Sequence, residues 1–108
     1  MQLPLQITFR DMETSHRLEA EIRRRAEKLE QFYDRIMSCR VVVECPHQSQ
    51  TTGQVYDVRI DLTVPGDELV VSRTSERDQT HENVLVAIRD AFNALEKQLR
   101  THADKRKA

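Results

Sequence analysis

The segment from Tyr56 to Val64 alternates strictly between apolar and polar side chains, and this pattern limits the folds open to the chain. Period-two alternation predicts a β-strand with one buried and one solvated face. The segments Cys39–Cys45 and Leu3–Phe9 alternate in the same way. Pro4 cannot donate a backbone hydrogen bond, so the Leu3–Phe9 strand should begin at a sheet edge or lie along it. Because each strand has a single strongly apolar side, any covering layer must pack on one face of the sheet.

Two prolines mark predicted ends of strands. Pro46 is predicted to end the second strand and to begin a polar loop that runs to Gly53. Pro65-Gly66 has the residue order of a type II turn, which predicts a hairpin into a fourth strand at Glu68–Arg73. The polar segment that follows this strand is predicted to be a linker.

Two segments have helical periodicity. Ser15 is a good N-cap for a helix that runs to Tyr33 with a stripe at Leu18, Ile22 and Leu29. A second helix is predicted over His81–Lys107, capped by Asp78 or Thr80. Its inner stripe comprises Val84, Ile88, Ala91, Leu95 and Leu99.

The predicted element order is β-α-β-β-β-α. The first two strands should pair in parallel through a right-handed crossover, and the last three should form an antiparallel meander. We therefore predict an α+β two-layer sandwich, a four-stranded mixed sheet with both helices on one face, which is similar to a double-stranded-RNA-binding domain. The predicted division is one domain at residues 1–103 and a basic flexible tail at 104–108.

Composition excludes several protein classes. No apolar run approaches the ~20 residues of a membrane span, and the N-terminus has no pattern of a signal peptide, so a cytoplasmic protein is expected. Cys39 and Cys45 lie about 20 Å apart on one strand, too far for a disulfide, and we interpret them as small core residues. No nucleophile motif, phosphate loop or metal-ligand spacing is present, so neither an enzyme, a cofactor, a metal nor a small-molecule substrate is expected.

The charges are sorted along the chain. The net charge is −1, yet the two predicted helices hold 11 Lys and Arg against 8 Asp and Glu. On a helical wheel, one flank of the first helix is basic and the opposite flank is largely acidic. If the two helices lie side by side, their basic flanks can face one groove, which is the arrangement that phosphate binding requires. Few exposed aromatic residues are expected, which favours recognition of backbone and shape. A pair of solvated amphipathic helices is the alternative interpretation.

Several collinear stretches carry a family resemblance. These are Met1-Gln2 leading into Gln6-Ile7-Thr8, RAEKLEQFYDRI at Arg25–Ile36, PGDEL at Pro65–Leu69, AIRDAF at Ala87–Phe92 and LEKQL at Leu95–Leu99. The chain resembles the ribosome hibernation-promoting factor and ribosome-associated inhibitor family, also called sigma-54 modulation proteins. The resemblance covers essentially the whole chain.

The resemblance implies a β-α-β-β-β-α fold and a function. Such proteins bind the small ribosomal subunit at the decoding region and sterically block mRNA and tRNA there. The resemblance matches Arg25 and Lys28 to basic positions of the first helix, and more loosely Lys97, Arg100, Lys105 and Lys107 to those of the last. The candidate RNA-binding residues, from charge pattern and resemblance together, are Arg17, Arg24, Arg25, Lys28, Arg89, Lys97, Arg100, Lys105 and Lys107.

The sequence also departs from the family pattern. Arg89 stands where an Asp is common, Ala94 where a Lys is common, and the chain is less basic than many members. It resembles a short form without the dimerisation domain that pairs ribosomes, so a monomer is expected on the ribosome. A protein-interaction stress regulator with the same fold is the alternative, favoured by the near-neutral charge and the acidic strand face around Asp57 and Asp61.

Overall fold

The fold is a four-stranded sheet covered on one face by two helices. The strands and helices are β1 (Leu5–Arg10), α1 (His16–Phe32), β2 (Ser38–Ser49), β3 (Gly53–Val64), β4 (Asp67–Thr74) and α2 (His81–Lys107). The computed structural model describes residues 4–49, 53–75 and 81–107, without the side chains of 46–49, 53–54, 81–83 and 104–107.

The sheet order β1-β2-β3-β4 confirms the predicted topology. β1 pairs with β2 in parallel, while β2, β3 and β4 form an antiparallel meander. β1 is an edge strand, as Pro4 predicts, and Pro4 contributes only its carbonyl, which accepts a hydrogen bond from the Cys39 amide at 3.0 Å. The Pro65-Gly66 turn is also confirmed, since Gly66 has φ 81°, the sign that position requires.

Apolar side chains line up in rows across the covered face of the sheet. Ile7, Val41, Ile60 and Val71 occupy one such row, and all but Ile7 are fully or almost fully buried. α1 packs over β1, and α2 packs over β3 and β4, so both helices cover the same face as expected. Cys39 and Cys45 lie buried among these rows without a disulfide, as small core residues.

The predicted end of the second strand at Pro46 is wrong. β2 continues to Ser49 and β3 begins at Gly53, so the two strands form a longer hairpin than the sequence predicts. The pairing register shifts between Glu44 and His47, and this irregularity contains Pro46. A bulge takes proline out of the hydrogen-bonded ladder, which is how the strand tolerates it.

Both helices begin and end close to the predicted residues. Ser15 caps α1, since its hydroxyl accepts a hydrogen bond from the Leu18 amide at 3.3 Å. α2 spans His81–Lys107 as predicted, and its backbone is helical through the predicted tail. The division between a domain and a tail at residue 104 stays a prediction. The candidate caps Asp78 and Thr80 lie outside the described residues.

Ile60 tests the role of the buried rows. It is fully buried at the centre of the sheet, so Ile60→Ala should lower the free energy of unfolding by about 2–5 kcal/mol in urea denaturation. Val70→Ala is the matched control on β4, because Val70 is 40% exposed and should change stability by less than about 0.5 kcal/mol. Equal losses in both variants would contradict this description of the core.

Candidate nucleic-acid interface

One cleft between the helices brings three arginines of α1 together with one arginine of α2. The cleft has a volume of about 400 Å³. Arginines provide most of its charge, and Glu21 is its single acidic residue. Its walls are formed by Arg17, Ala20, Glu21, Arg24, Arg25, Leu85, Val86 and Arg89, which we call the arginine cleft. Four positive charges and one negative charge leave it at +3.

Core packing fixes the position of these arginines. Leu18, Ile22 and Ala26 are buried on the sheet side of α1, so Arg17, Arg24 and Arg25 project from the flank of that stripe. On α2, Ile88 is buried and Arg89, the next residue, lies on the cleft wall. The apolar spacing that packs the helices on the sheet therefore also determines that these arginines project into the cleft.

Glu21 holds two of the cleft arginines. Its Oε2 accepts hydrogen bonds from Arg24 Nη2 at 2.8 Å and from Arg25 Nε at 2.6 Å. These hydrogen bonds, that from Arg24 above all, lower the pKa of the Glu21 carboxyl, while its partial burial acts in the opposite direction. The carboxylate thus orders two guanidinium groups side by side and offsets part of their charge.

The two helices run in the same direction and meet again at their C-terminal ends. The guanidinium of Arg100 lies over the ring of Phe32, 4.9 Å from its centroid, and donates a hydrogen bond to Glu96 at 3.1 Å. Tyr33 and His102 contact edge to face, with ring centroids 6.2 Å apart. The arginine cleft lies nearer the N-terminal ends of both helices.

The structure brings some predicted site residues together and separates others. Arg17, Arg24, Arg25 and Arg89 share the cleft. Arg100 lies against the end of α1, while Lys28 and Lys97 are exposed and are not among the residues that line the cleft. Lys105 and Lys107 lie on the helical backbone of α2, and their side chains lie outside the described part of the chain.

Sequence reasoning missed two features of this surface. Glu21 pairs with Arg24 as well as with Arg25, and the i,i+3 and i,i+4 spacings signal this double pairing. The second feature is Phe32, which is 42% exposed beneath Arg100 at the end of α1. That contact joins two helices, so no local sequence pattern predicts it.

The described residues offer little chemistry of other kinds. Among them, no group of three or more His, Cys, Asp or Glu side chains is placed to hold a metal ion. Burial raises the pKa of the Cys39 thiol to about 12, which leaves it a poor nucleophile. Asp57 and Asp61 on the open sheet face accept hydrogen bonds from Thr74 and Arg59, at 2.8 and 3.1 Å. No described helix is long and apolar enough to cross a membrane.

Comparison with known proteins gives a family match and a fold match. The family model described as "Sigma 54 modulation protein / S30EA ribosomal protein" matches residues 5–107. No curated protein sequence matches the chain.

The solved structures that share the fold include the following two. One is a ribosomal subunit interface protein from Coxiella burnetii, with TM-score 0.70 and 15% identity, and the match covers 94% of this chain and 99% of that one. The other is the N-terminal domain of Protein Y from Thermus thermophilus, with TM-score 0.69, 18% identity and the same coverage. At these identities, the likeness confirms the α+β two-layer fold.

The Glu21 pairs predict a pH-dependent contribution to stability. At pH 7, Glu21→Gln should unfold at a lower urea concentration than the wild type, because glutamine lacks the charge that Arg24 and Arg25 bind. The folded-state pKa of Glu21 lies below the ordinary value of 4.5, so its stabilisation is complete above that value and disappears as the pH falls through the folded-state pKa.

The measurement is the urea midpoint of both proteins over a pH series. The two midpoints should converge as the pH falls below about 4.5. Glu27→Gln, which removes the same charge from an exposed position outside the cleft, controls for net charge. A gap between wild type and Glu21→Gln that stays constant with pH would contradict the assigned pairing.

Proposed function

The chain belongs to the Sigma 54 modulation protein / S30EA ribosomal protein family, and from this premise we propose that it is a ribosome-associated inhibitor of translation. It binds the small ribosomal subunit at the decoding region and excludes mRNA and tRNA by occupying their path. The solved relatives of the same fold include a protein named for the ribosomal subunit interface, which supports this partner. The observation that carries the proposal is the arginine cleft.

Phosphate binding accounts for the composition of the cleft. A guanidinium presents several N–H donors in a plane and matches the geometry of phosphate oxygens. Each cation that contacts an RNA phosphate also releases condensed counterions, which favours binding at low salt. Arg17 and Arg89 stand on opposite walls, so a phosphate backbone that lies along the cleft contacts both helices at once.

The opposite side of the molecule is a poorer surface for a polyanion. The open face of the sheet carries three arginines and four acids: Arg10, Arg40, Glu44, Asp57, Arg59, Asp61 and Glu68. These charges sum to −1, whereas the arginine cleft keeps +3. The near-neutral net charge of the chain is thus compatible with RNA binding, because positive potential depends on how the charges are distributed.

The mechanism we propose is occupancy without turnover. A folded domain fixed on the ribosomal RNA by phosphate contacts prevents other ligands from entering the same space, and no bond is made or broken. It requires no cofactor, metal or small-molecule substrate, and it operates in the cytoplasm as a monomer on the ribosome.

The alternative function is a protein-interaction stress regulator that does not bind ribosomes. The nearly balanced charges of the open sheet face favour it, since both cationic and anionic side chains can form hydrogen bonds and ion pairs across a protein interface. Salt distinguishes the two functions. RNA contacts should weaken steeply with added salt, whereas a packed protein interface should weaken much less.

A paired set of variants tests the cleft. Arg17→Gln with Arg89→Gln should weaken co-sedimentation with purified small subunits at least about tenfold at low salt, because each lost hydrogen bond to a charged group contributes roughly 1.5 kcal/mol or more. The matched control is Arg40→Gln with Arg59→Gln, which removes the same charge from the open sheet face. The control should bind like the wild type. A greater loss in the control would move the interface to the sheet and contradict the proposal.

The salt dependence of the same variants gives a second prediction. The logarithm of the association constant should fall linearly with the logarithm of salt concentration for the wild type. The cleft variant, with two fewer phosphate contacts, should show a slope smaller by about 1 to 2. Identical slopes for the wild type and the cleft variant would mean that Arg17 and Arg89 do not contact phosphates.

A further inference from the structure

Phe32 is an aromatic side chain that the core does not use. It is the last residue of α1 and stays 42% exposed, whereas the stripe residue Leu29, one turn earlier, is buried. It is also the only aromatic among the large hydrophobic residues exposed in the described part of the chain. An exposed phenyl ring on a proposed RNA-binding surface is therefore a candidate contact for a ligand.

Arg100 lies over this ring. The carbon of its guanidinium is 4.9 Å from the ring centroid, and its Nη2 donates a hydrogen bond to Glu96 at 3.1 Å. The Arg100 side chain nevertheless remains 61% exposed. An aromatic ring and a guanidinium plane, both accessible to solvent, are therefore ordered before any ligand arrives.

We propose that an unpaired RNA base stacks on the Phe32–Arg100 pair. This inference rests on the proposed ribosome binding and adds the kind of nucleotide that the surface takes. Unpaired bases of RNA stack on aromatic rings and on arginine planes, while bases within a duplex are not available for this contact. The interface thus recognises an unpaired nucleotide as well as phosphates.

The surroundings of the pair suit a strand that continues from the arginine cleft. Phe32 lies eight residues beyond Arg24, about 12 Å along the helix. The exposed cations Lys28 and Lys97 lie one turn before Phe32 and Arg100 on their helices, close enough to bind the phosphates that flank a stacked base. If the partner were a protein, Lys28 and Lys97 would need acidic side chains of that protein as their partners instead of phosphates.

A tryptophan reporter tests the stacking directly. The chain contains no tryptophan, so Phe32→Trp places a single fluorophore at the site. A single-stranded oligoribonucleotide of mixed sequence should quench its fluorescence, and a duplex of the same sequence should quench it much less. Val70→Trp, at an exposed position on β4, is the control and should not respond to either. Equal quenching in both reporters, or none in Phe32→Trp while the oligonucleotide is bound, would overturn the inference.

Binding affinity provides a second readout. Phe32→Leu should weaken binding of the single strand about tenfold, because an unpaired base loses its aromatic stacking partner. It should leave duplex binding unchanged, because bases within a duplex do not make this contact. Its urea midpoint should match the wild type, since the ring is largely exposed. If Phe32→Leu binds the single-stranded oligoribonucleotide as tightly as the wild type does, the stacking contact is overturned. It is also overturned if the wild type does not bind the single strand.

The two proposals fail separately. If the wild type co-sediments with small subunits and Phe32→Leu does so equally well at every protein concentration, ribosome binding stands and base stacking fails. If the wild type does not co-sediment at all, the proposed function fails, whatever the reporter shows with oligonucleotides.

Discussion

The one-sided hydrophobicity of the sheet is the constraint on which the rest of the structure depends. The strands bury one row of side chains after another on a single face, so α1 and α2 must lie side by side on that face. Helices that share a face also share a groove. The arginine cleft is thus a consequence of core packing, because the buried stripes set the positions of the two helices that form its walls.

Charge sorting determines which side of the molecule suits a polyanion. The chain carries a net charge of −1, yet the arginine cleft keeps +3 while the open sheet face, with three arginines and four acids, has no excess of positive charge. Glu21 has two effects on this surface. It offsets part of the positive charge. Its Oε2 also lies 2.8 Å from Arg24 Nη2 and 2.6 Å from Arg25 Nε, and this ordering reduces the conformational entropy that the two side chains lose when they bind a phosphate.

Much of this fold could be predicted from the sequence, because local patterns set its elements. Alternation gave the strands, Ser15 the start of α1, and Pro65-Gly66 the tight turn. Pro46 was misleading, since only pairing with β3 shows that a bulge accommodates it. For the site, the helical period assigned the cleft arginines to basic flanks. The relative offset of the two helices comes from tertiary packing, so the separation of Lys28 and Lys97 from the cleft and the contact of Arg100 with Phe32 could not be predicted.

The orientation of the domain on the small ribosomal subunit is the most direct test of the central claim. A cryo-electron microscopy map of the complex would show which face meets the ribosomal RNA. The account predicts that α1 and α2 face the RNA, that Arg17 and Arg89 lie within hydrogen-bonding distance of phosphate oxygens, and that the open sheet face is turned away. A complex in which the sheet face contacts the RNA and the arginine cleft is open to solvent would contradict it.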